Sequence, residues 1–426
     1  MKKALIYLGV TAGLGVLLTL ISRFSVGFSE WYAVNIYPIL VRLIGGFFGG
    51  FSFSMAEIMI ILLIPAGIAG IVLFIIKIVK SKGERKSFLA RFGVYFGCGI
   101  STVFLTFILM CGINYNRHTF LHDLHNSNGS HVELREVTNL DEWLVFLTLL
   151  DEFYTDFPDL ESQDGVINRD ENGVFVLTGD LSKLAPAAMR NLAETYPRMK
   201  VRFPRPKPIL NSGLMSDAFL LGFFSPWTME ANYNRIAPGN ERALTTLHEL
   251  AHVSGFMREE EANFISFLAA KESGEPELVY SAYVYVLNEF SLDITYEEFE
   301  QLPPSFMTKF DYFREKTDSE WFCDEDGNYE YFHSGYLIPA FISLDWYAQN
   351  EFWWERYYNV TEVYDDDGEV VDVIVNVNPV VEAISDVSSS VNDTYLKAQG
   401  QEDGILSYAR MRDLVMILYL SEMSEM

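Results

Sequence analysis

Three long apolar runs set the first quarter of the chain apart from the rest. They cover residues 3–22, 56–77 and 88–113, and each is close to the ~20 residues that a helix needs to cross a bilayer. No small-residue cleavage site follows the first run, which indicates an uncleaved span rather than a removed signal peptide. The pattern therefore predicts an N-terminal bundle of three transmembrane helices within residues 1–113, and it makes a lipid bilayer one partner of the protein.

A basic loop between the second and third runs predicts the orientation of this anchor. It holds six cationic side chains, Lys77, Lys80, Lys82, Arg85, Lys86 and Arg91. Short basic loops stay on the cytoplasmic side. We therefore expect a multi-pass plasma-membrane protein with a cytoplasmic N-terminus and residues 114–426 outside. Residues 31–53 are apolar and glycine-rich. They form either an amphipathic or re-entrant piece on the outer face or a fourth span, which would invert the topology.

Beyond residue 113 the hydrophobic period is mostly helical. It predicts helices at 137–157, 181–196 and 406–420, mostly helical stretches at 281–313 and 336–356, and another helix that begins near residue 239. Residues 228–236 have the pattern of a strand between two prolines. Residues 361–377 predict a hairpin with Asp367 and Gly368 at its turn. We expect a mainly α (α+β) domain whose small sheet has an edge strand just before the helix at 239.

Charge and cysteine content narrow the function and the compartment. Residues 1–112 hold ten Lys/Arg and three Asp/Glu, a charge of +7, which leaves −34 for the rest of a chain with net charge −27. So acidic a surface argues against nucleic-acid binding, which needs a basic face. Only Cys323 of the three cysteines lies in the polar part, so that part cannot form an internal disulfide. An exported domain without disulfides is consistent with a bacterial protein.

The segment His248-Glu249-Leu250-Ala251-His252 contains the candidate metal ligands and the candidate general base. Positions i and i+4 of a helix share a face, so the two histidines can bind one zinc ion, with Glu249 beside it as general base. Zinc accepts imidazole and carboxylate ligands and leaves one position open in catalytic sites. The expected function is peptide-bond hydrolysis on an unknown peptide or protein substrate. The alternative is a membrane-tethered binding or sensory module with a structural or vestigial zinc site.

The third ligand must come from the glutamates that follow. Gly255 can end the helix in a left-handed conformation, so that the next segment folds back toward the histidines. Spacing does not decide among Glu259, Glu260 and Glu261. The pattern Glu259-x-x-Ala262-Asn263 resembles the E-x-x-A-[DN] segment of gluzincin peptidases, where the first glutamate is the ligand. That resemblance favours Glu259 and leaves Glu261 as the alternative.

Several long stretches resemble one family, the domain of unknown function 3810, membrane proteins of the gluzincin type. They are GINYNR at 112–117, the segment 207–238 that leads into HELAHVSGFMREEEANF, and SVNDTYLKAQGQEDGILSYARMRDLV at 390–415. The resemblance implies a membrane-anchored, zincin-like peptidase with one Zn²⁺ per chain. The acidic, aromatic segment 317–377 departs from the pattern and is predicted to be an insertion.

A hydrolase of this kind also needs a group that stabilises the oxyanion of the transition state. The candidates are Tyr280, Tyr395, Tyr408 and Arg410. Tyr395 and Tyr408 are favoured because they lie in the C-terminal segment that carries the resemblance. The sequence leaves the oligomeric state and the cleavage specificity open.

Overall fold

Four apolar helical segments begin the chain in the computed structural model, which describes residues 1–81, 83–128, 137–158, 166–364, 370–399, 401 and 410–425. The segments long and apolar enough to cross a membrane are Lys2–Phe24, Val26–Phe48, Met55–Lys80 and Arg85–Asn116. The elements within them are α1 (Lys2–Phe24), α2 (Val26–Asn35), α3 (Tyr37–Leu40), a π-helix (Val41–Gly45), α4 (Gly46–Phe48), α5 (Met55–Lys80), α6 (Arg85–Phe107) and a second π-helix (Ile108–Gly112). The N-terminal apolar helices are thus confirmed, but the structure has four candidates where the sequence pattern predicted three spans.

The additional candidate, Val26–Phe48, has two unlike faces. One face is buried against the polar part of the chain, where the Tyr37 hydroxyl donates to the carbonyl of His252 at 3.5 Å. The other face exposes large apolar side chains, Trp31, Val34, Ile39, Leu43 and Phe47. Such a segment suits a position between protein and lipid. The sidedness of the protein stays a prediction.

The rest of the described chain is mainly helical. Its helices are α7 (Leu121–Asn128), α8 (Asn139–Asp156), α9 (Leu181–Thr195), α10 (Ser212–Asp217), α11 (Gly239–Val253), α12 (Glu259–Lys271), α13 (Pro276–Asn288), α14 (Tyr296–Glu300), α15 (Pro304–Lys316), α16 (Ala340–Tyr357), α17 (Pro379–Ala398) and α18 (Met411–Glu425). Its strands are β1 (Lys207–Ile209), β2 (Gly222–Ser225), β3 (Glu230–Asn234), β4 (Asp293–Thr295), β5 (Phe322–Cys323), β6 (Tyr329–His333), β7 (Tyr358–Tyr364) and β8 (Val370–Val377). β7 and β8 form the predicted hairpin, and its turn residues Asp367 and Gly368 lie outside the described residues.

The sheet beside α11 corrects one prediction. Its order is β1-β3-β2, with β3 parallel to β1 and antiparallel to β2. The strand predicted at 228–236 is therefore the central strand β3 and not an edge. The reason lies in residues 207–225 before it, which supply a flanking strand on each side. The edge strand that precedes α11 is β2.

Helix α11 lies in the middle of the core. Leu247, Leu250, Ala251 and Val253 are fully buried and belong to one hydrophobic cluster with residues of α9, α12 and α13. The opposite side of α11 faces β2 and β3. Burial on several sides fixes the rotation of the helix, and it therefore fixes the direction of the histidine side chains.

Two buried carboxylates join the sheet to the start of α5. Glu230 of β3 accepts hydrogen bonds from the backbone N–H groups of Met55 and Ala56, at 3.3 and 2.9 Å. Glu57 in the first turn of α5 accepts from the backbone N–H groups of Leu210 and Asn211, at 3.0 and 2.8 Å. The negative charge of Glu230 also suits the positive end of the helix. This reciprocal pair holds the sheet against the anchor.

We expect Glu230→Gln to destabilise this junction. The amide keeps one acceptor oxygen but turns an N–H group toward the helix start, and a hydrogen bond to a charged group is worth about 2 kcal/mol. The full chain in detergent should unfold at a lower temperature than wild type. Glu300→Gln, at an exposed position on α14, is the control. Equal unfolding temperatures for the two variants would contradict this account.

Candidate metal centre

His248, His252 and Glu259 converge on one point. The Nε2 atoms of His248 and His252 lie 3.1 and 3.5 Å from Oε2 of Glu259. Within the described residues these three side chains form the only group of three or more His, Cys, Asp or Glu whose ligand atoms all lie within 4.8 Å of one another. The structure thus brings together three residues that the sequence predicted as metal ligands.

The other nitrogen of each imidazole is already engaged. Nδ1 of His252 lies 2.8 Å from the backbone carbonyl of Phe256, which can only accept, so this nitrogen carries the proton. Nδ1 of His248 lies 2.6 Å from Oδ1 of Asn263. In both rings Nε2 is therefore the nitrogen left for the shared position, and it points there. Metal-binding histidines are commonly oriented in this way.

The turn after α11 places the third group. Gly255 has φ +93°, the left-handed conformation that the sequence predicted. A Cβ at this residue would lie 3.2–3.3 Å from Arg117, Asn114 and Tyr37, so there is little room for a side chain. The turn reverses the chain, and α12 then begins at Glu259, directly beside the histidines.

The three consecutive glutamates have different partners. Glu261 accepts a hydrogen bond from the backbone N–H of Phe120 at 2.8 Å, and it lies 3.7 Å from Arg258. Glu260 accepts from the side chain of Gln401 at 2.9 Å. Only Glu259 faces the histidine pair, whereas Glu261, the alternative ligand, is turned toward the N-terminal part of the domain.

The charges of the three converging side chains favour a positive charge between them. Glu259 is buried, and burial alone would raise its pKa, but the imidazoles of His252 and His248 hold that pKa well below its usual range. Burial lowers the pKa of His252, yet the Glu259 carboxylate outweighs it and raises that pKa to about 9. Oε2 of Glu259 faces the Nε2 atoms of both histidines, and Oε2 of Glu249 is buried without a hydrogen-bond partner among the described atoms. A divalent cation would satisfy these groups as well as protons do.

Glu249 lies beside the cluster but outside it. Burial raises the pKa of its carboxyl to about 7, against the lowering effect of the two histidines. Its Oε1 approaches Gly222 of β2 so closely that a Cβ there would lie 2.7 Å away. A carboxyl group with a pKa near neutrality is suited to proton transfer.

Two cavities meet at this point. One has a volume of about 550 Å³ and extends along α11 past Thr245 to Asn240 and Glu241. The other, of about 460 Å³, extends past His252 and Glu259 to Cys111 and Tyr115 at the end of the last apolar segment. Residues of both walls include Gly222, His248, Glu249, Ser388 and Asn392. The centre is therefore open on both sides along β2.

The candidate tyrosines fall in different places. Tyr395 of α17 lines the cavity with His252 and Glu259, and its hydroxyl lies 3.0 Å from that of Tyr115. Burial raises the pKa of Tyr395, so the hydroxyl keeps its proton. Tyr280 is fully buried, where it bonds to Asp345 and accepts from Arg169. Tyr408 lies outside the described residues.

Sequence reasoning missed several residues of the site. Cys111 and Gly222 reach it from apolar stretches, and Tyr115 reaches it from the segment 112–117, which was singled out only for the family resemblance. Asn263 was part of the quoted pattern, but its contact with His248 was not anticipated. The available signals were the polar Tyr115 after an apolar run and the glycine between Leu221 and Phe223.

Gly222 offers a test of this packing. A Cβ at Gly222 would lie 2.6–2.8 Å from Thr245 Cγ2, Glu249 Oε1 and the backbone oxygen of Asn232. We expect Gly222→Ala to reduce stability by about 1–3 kcal/mol because β2 must move away from α11. Gly213→Ala is the matched control, since nothing lies within 4 Å of that position. Thermal unfolding of both variants measures the difference, and an unchanged Gly222→Ala protein would refute the close contact.

The model of one protein family, described as protein of unknown function (DUF3810), matches residues 32–308 and 349–416. The match includes most of the additional apolar segment, the centre and α17. It leaves out residues 309–348, while residues 349–377 of the predicted insertion fall inside it. No curated protein and no solved structure matches the chain.

Proposed function

The chain belongs to the DUF3810 family, and we propose that it is a membrane-anchored zinc metallopeptidase. One observation carries the proposal: His248, His252 and Glu259 converge while Glu249 stands beside them at the meeting point of two cavities. A structural site has no need of a second carboxylate without a partner in an open cleft. The domain would then be zincin-like, with its site on the outer side of the plasma membrane.

The donor set fits zinc. Two imidazole nitrogens and one carboxylate are the ligands of a common class of catalytic zinc site, which keeps a further position for water or substrate. Zinc held there supplies a Lewis acid that polarises a carbonyl and makes water acidic enough to react near neutral pH. His248 and His252 would hold it through Nε2, because Asn263 and Phe256 engage their Nδ1 atoms.

Residues of the chain would transfer the proton and stabilise the oxyanion. Glu249 would take the proton of the attacking water on its carboxylate and give it to the leaving amine. Tyr395, which lines the same cavity as His252 and Glu259, would donate a hydrogen bond to the developing oxyanion. With Tyr408 outside the described residues, Tyr395 is the better supported of the two tyrosines.

Strand β2 suits an extended substrate. The backbone N–H of Asn234 donates to the carbonyl of Leu221 at 2.7 Å. Hydrogen-bonded and open positions alternate along an antiparallel pair, so Leu221 and Phe223 face β3. Gly222 and Phe224 then present their backbone groups on the free edge. A peptide could add to this edge as a further strand and pass beside Glu249.

Zinc content tests the centre. We expect about one zinc per chain in the full-length wild type and in Glu249→Gln, because Glu249 is not a ligand. His248→Ala and Glu259→Ala should lose the metal. Glu261→Ala should keep it, since Glu261 holds the backbone of Phe120 instead. Elemental analysis of detergent-purified protein measures all five.

Two outcomes would count against the centre. Loss of zinc in Glu261→Ala, with a normal unfolding temperature, would reassign the third ligand. A folded wild type that takes up no zinc after reloading would favour the alternative, a membrane-tethered binding or sensory module.

Cleavage tests the activity. Zinc-loaded protein is incubated with a mixed peptide library, and mass spectrometry identifies new termini. We expect products that disappear with a chelator and fall at least about 100-fold in Glu249→Gln, the lower part of what a general base contributes. Products that persist in Glu249→Gln would come from a contaminant or from another site.

A further inference from the structure

Glu241 lies on the helix of the metal centre but takes no part in the centre itself. It precedes Glu249 by eight residues, which is about 12 Å along the helix. Glu241 is one of the residues that line the same 550 Å³ cavity as His248 and Glu249. Glu289, at the end of α13, lines that cavity from another element. The cavity thus holds three carboxylates, and none of the described residues that line it is a lysine or arginine.

The carboxyl group of Glu241 is only partly satisfied. Its Oε1 accepts from the indole N–H of Trp353 at 3.1 Å. Its Oε2 makes no close hydrogen bond among the described atoms, although the side chain of Gln349 lies near the carboxyl group, and the residue is only 8 % exposed. Burial raises the pKa of Glu241 to about 7, against weaker lowering by Trp353 and Gln349. A buried acid with one free oxygen is costly unless a partner arrives.

We infer that Glu241 and Glu289 form a subsite for a cationic group of the substrate, on the side of the centre where the cavity passes Thr245. The inference rests on the proposed peptidase function and deepens it. A lysine or arginine side chain or a free amino terminus would supply a positive charge beside Glu241, whereas Glu289 already has Arg412 near it. The distance from Glu249 corresponds to about three or four extended residues, and a long basic side chain shortens that number.

A second metal ion does not explain these carboxylates. In the described chain, the only set of three or more His, Cys, Asp or Glu with ligand atoms close enough to share an ion is the one at His248, His252 and Glu259. The walls around Glu241 also include Phe219, Leu244 and Tyr285. Apolar walls with a carboxylate at the end suit the aliphatic stem and charged tip of a basic side chain.

Matched tripeptide hydroxamates test the subsite without a known substrate. The hydroxamate group chelates zinc, and a lysine, norleucine or glutamate is placed one or two residues away. Each probe is made with a free and with an acetylated amino terminus. Binding to zinc-loaded, full-length protein in detergent is measured by calorimetry for wild type, Glu241→Gln, Glu289→Gln and the control Glu300→Gln.

We expect lysine to bind at least tenfold more tightly than norleucine in wild type and in Glu300→Gln. Glu241→Gln should bring that ratio close to one, because the amide can still accept from Trp353 but carries no charge. Glu289→Gln should lower the ratio in part, and it serves as the second test if Glu241→Gln does not fold. If the gain follows the free amino terminus instead of lysine, the subsite stands and recognises a chain end.

Two results distinguish a failure of the cationic subsite from a failure of the peptidase proposal. Equal binding of all side chains, with the hydroxamates still bound, would overturn the cationic subsite and leave the peptidase proposal intact. If no hydroxamate binds to the zinc-loaded protein, the metal has no open position for a ligand. That result would contradict both proposals.

Discussion

The site depends on one constraint: two imidazoles and a carboxylate are buried together and need a shared positive charge. Glu259 can occupy its place only because the chain reverses at Gly255, where a left-handed backbone and close neighbours exclude a side chain. Asn263 and the Phe256 carbonyl then fix both rings with Nε2 inward. The loop and the first turn of α12 therefore bring three potential ligand atoms together at one point.

The same turn ties the centre to the apolar N-terminal part. Arg117 is buried, donates to the carbonyl of Ser254 at 3.4 Å and pairs with Glu30 of α2 at 3.1 Å. Arg198 binds the other oxygen of Glu30 at 2.7 Å. Each charge has an opposite neighbour, as buried ionic groups require. The anchor is thus part of the domain's folded structure, and the centre is built where the two parts meet.

The sequence pattern predicted those features of the site that depend only on residues close together in the chain. The histidine pair follows from the helical period, and the Gly255 turn follows from the chemistry of one residue. The role of Val26–Phe48 and the order of the sheet depend on tertiary packing. An apolar face against protein and an apolar face against lipid look alike in a sequence. Residues 207–225 likewise contain the strand β1, the short helix α10 and the edge strand β2, and burial on one side obscures their different periods.

The two ends of the cleft differ in a way that bears on substrate orientation. Toward the last apolar segment the walls include Phe223, Phe224 and Met257, and the exposed Val387 and Val391 of α17 extend this apolar surface. The Trp227 indole donates to Thr106 of α6 at 3.3 Å, so this end lies against the anchor. The opposite end carries Glu241 and Glu289. Because β2 connects the two ends, a peptide along its edge would have one preferred direction. Its apolar residues would lie near the membrane and its positive charge away from it, so the fold itself would set which bond reaches Glu249.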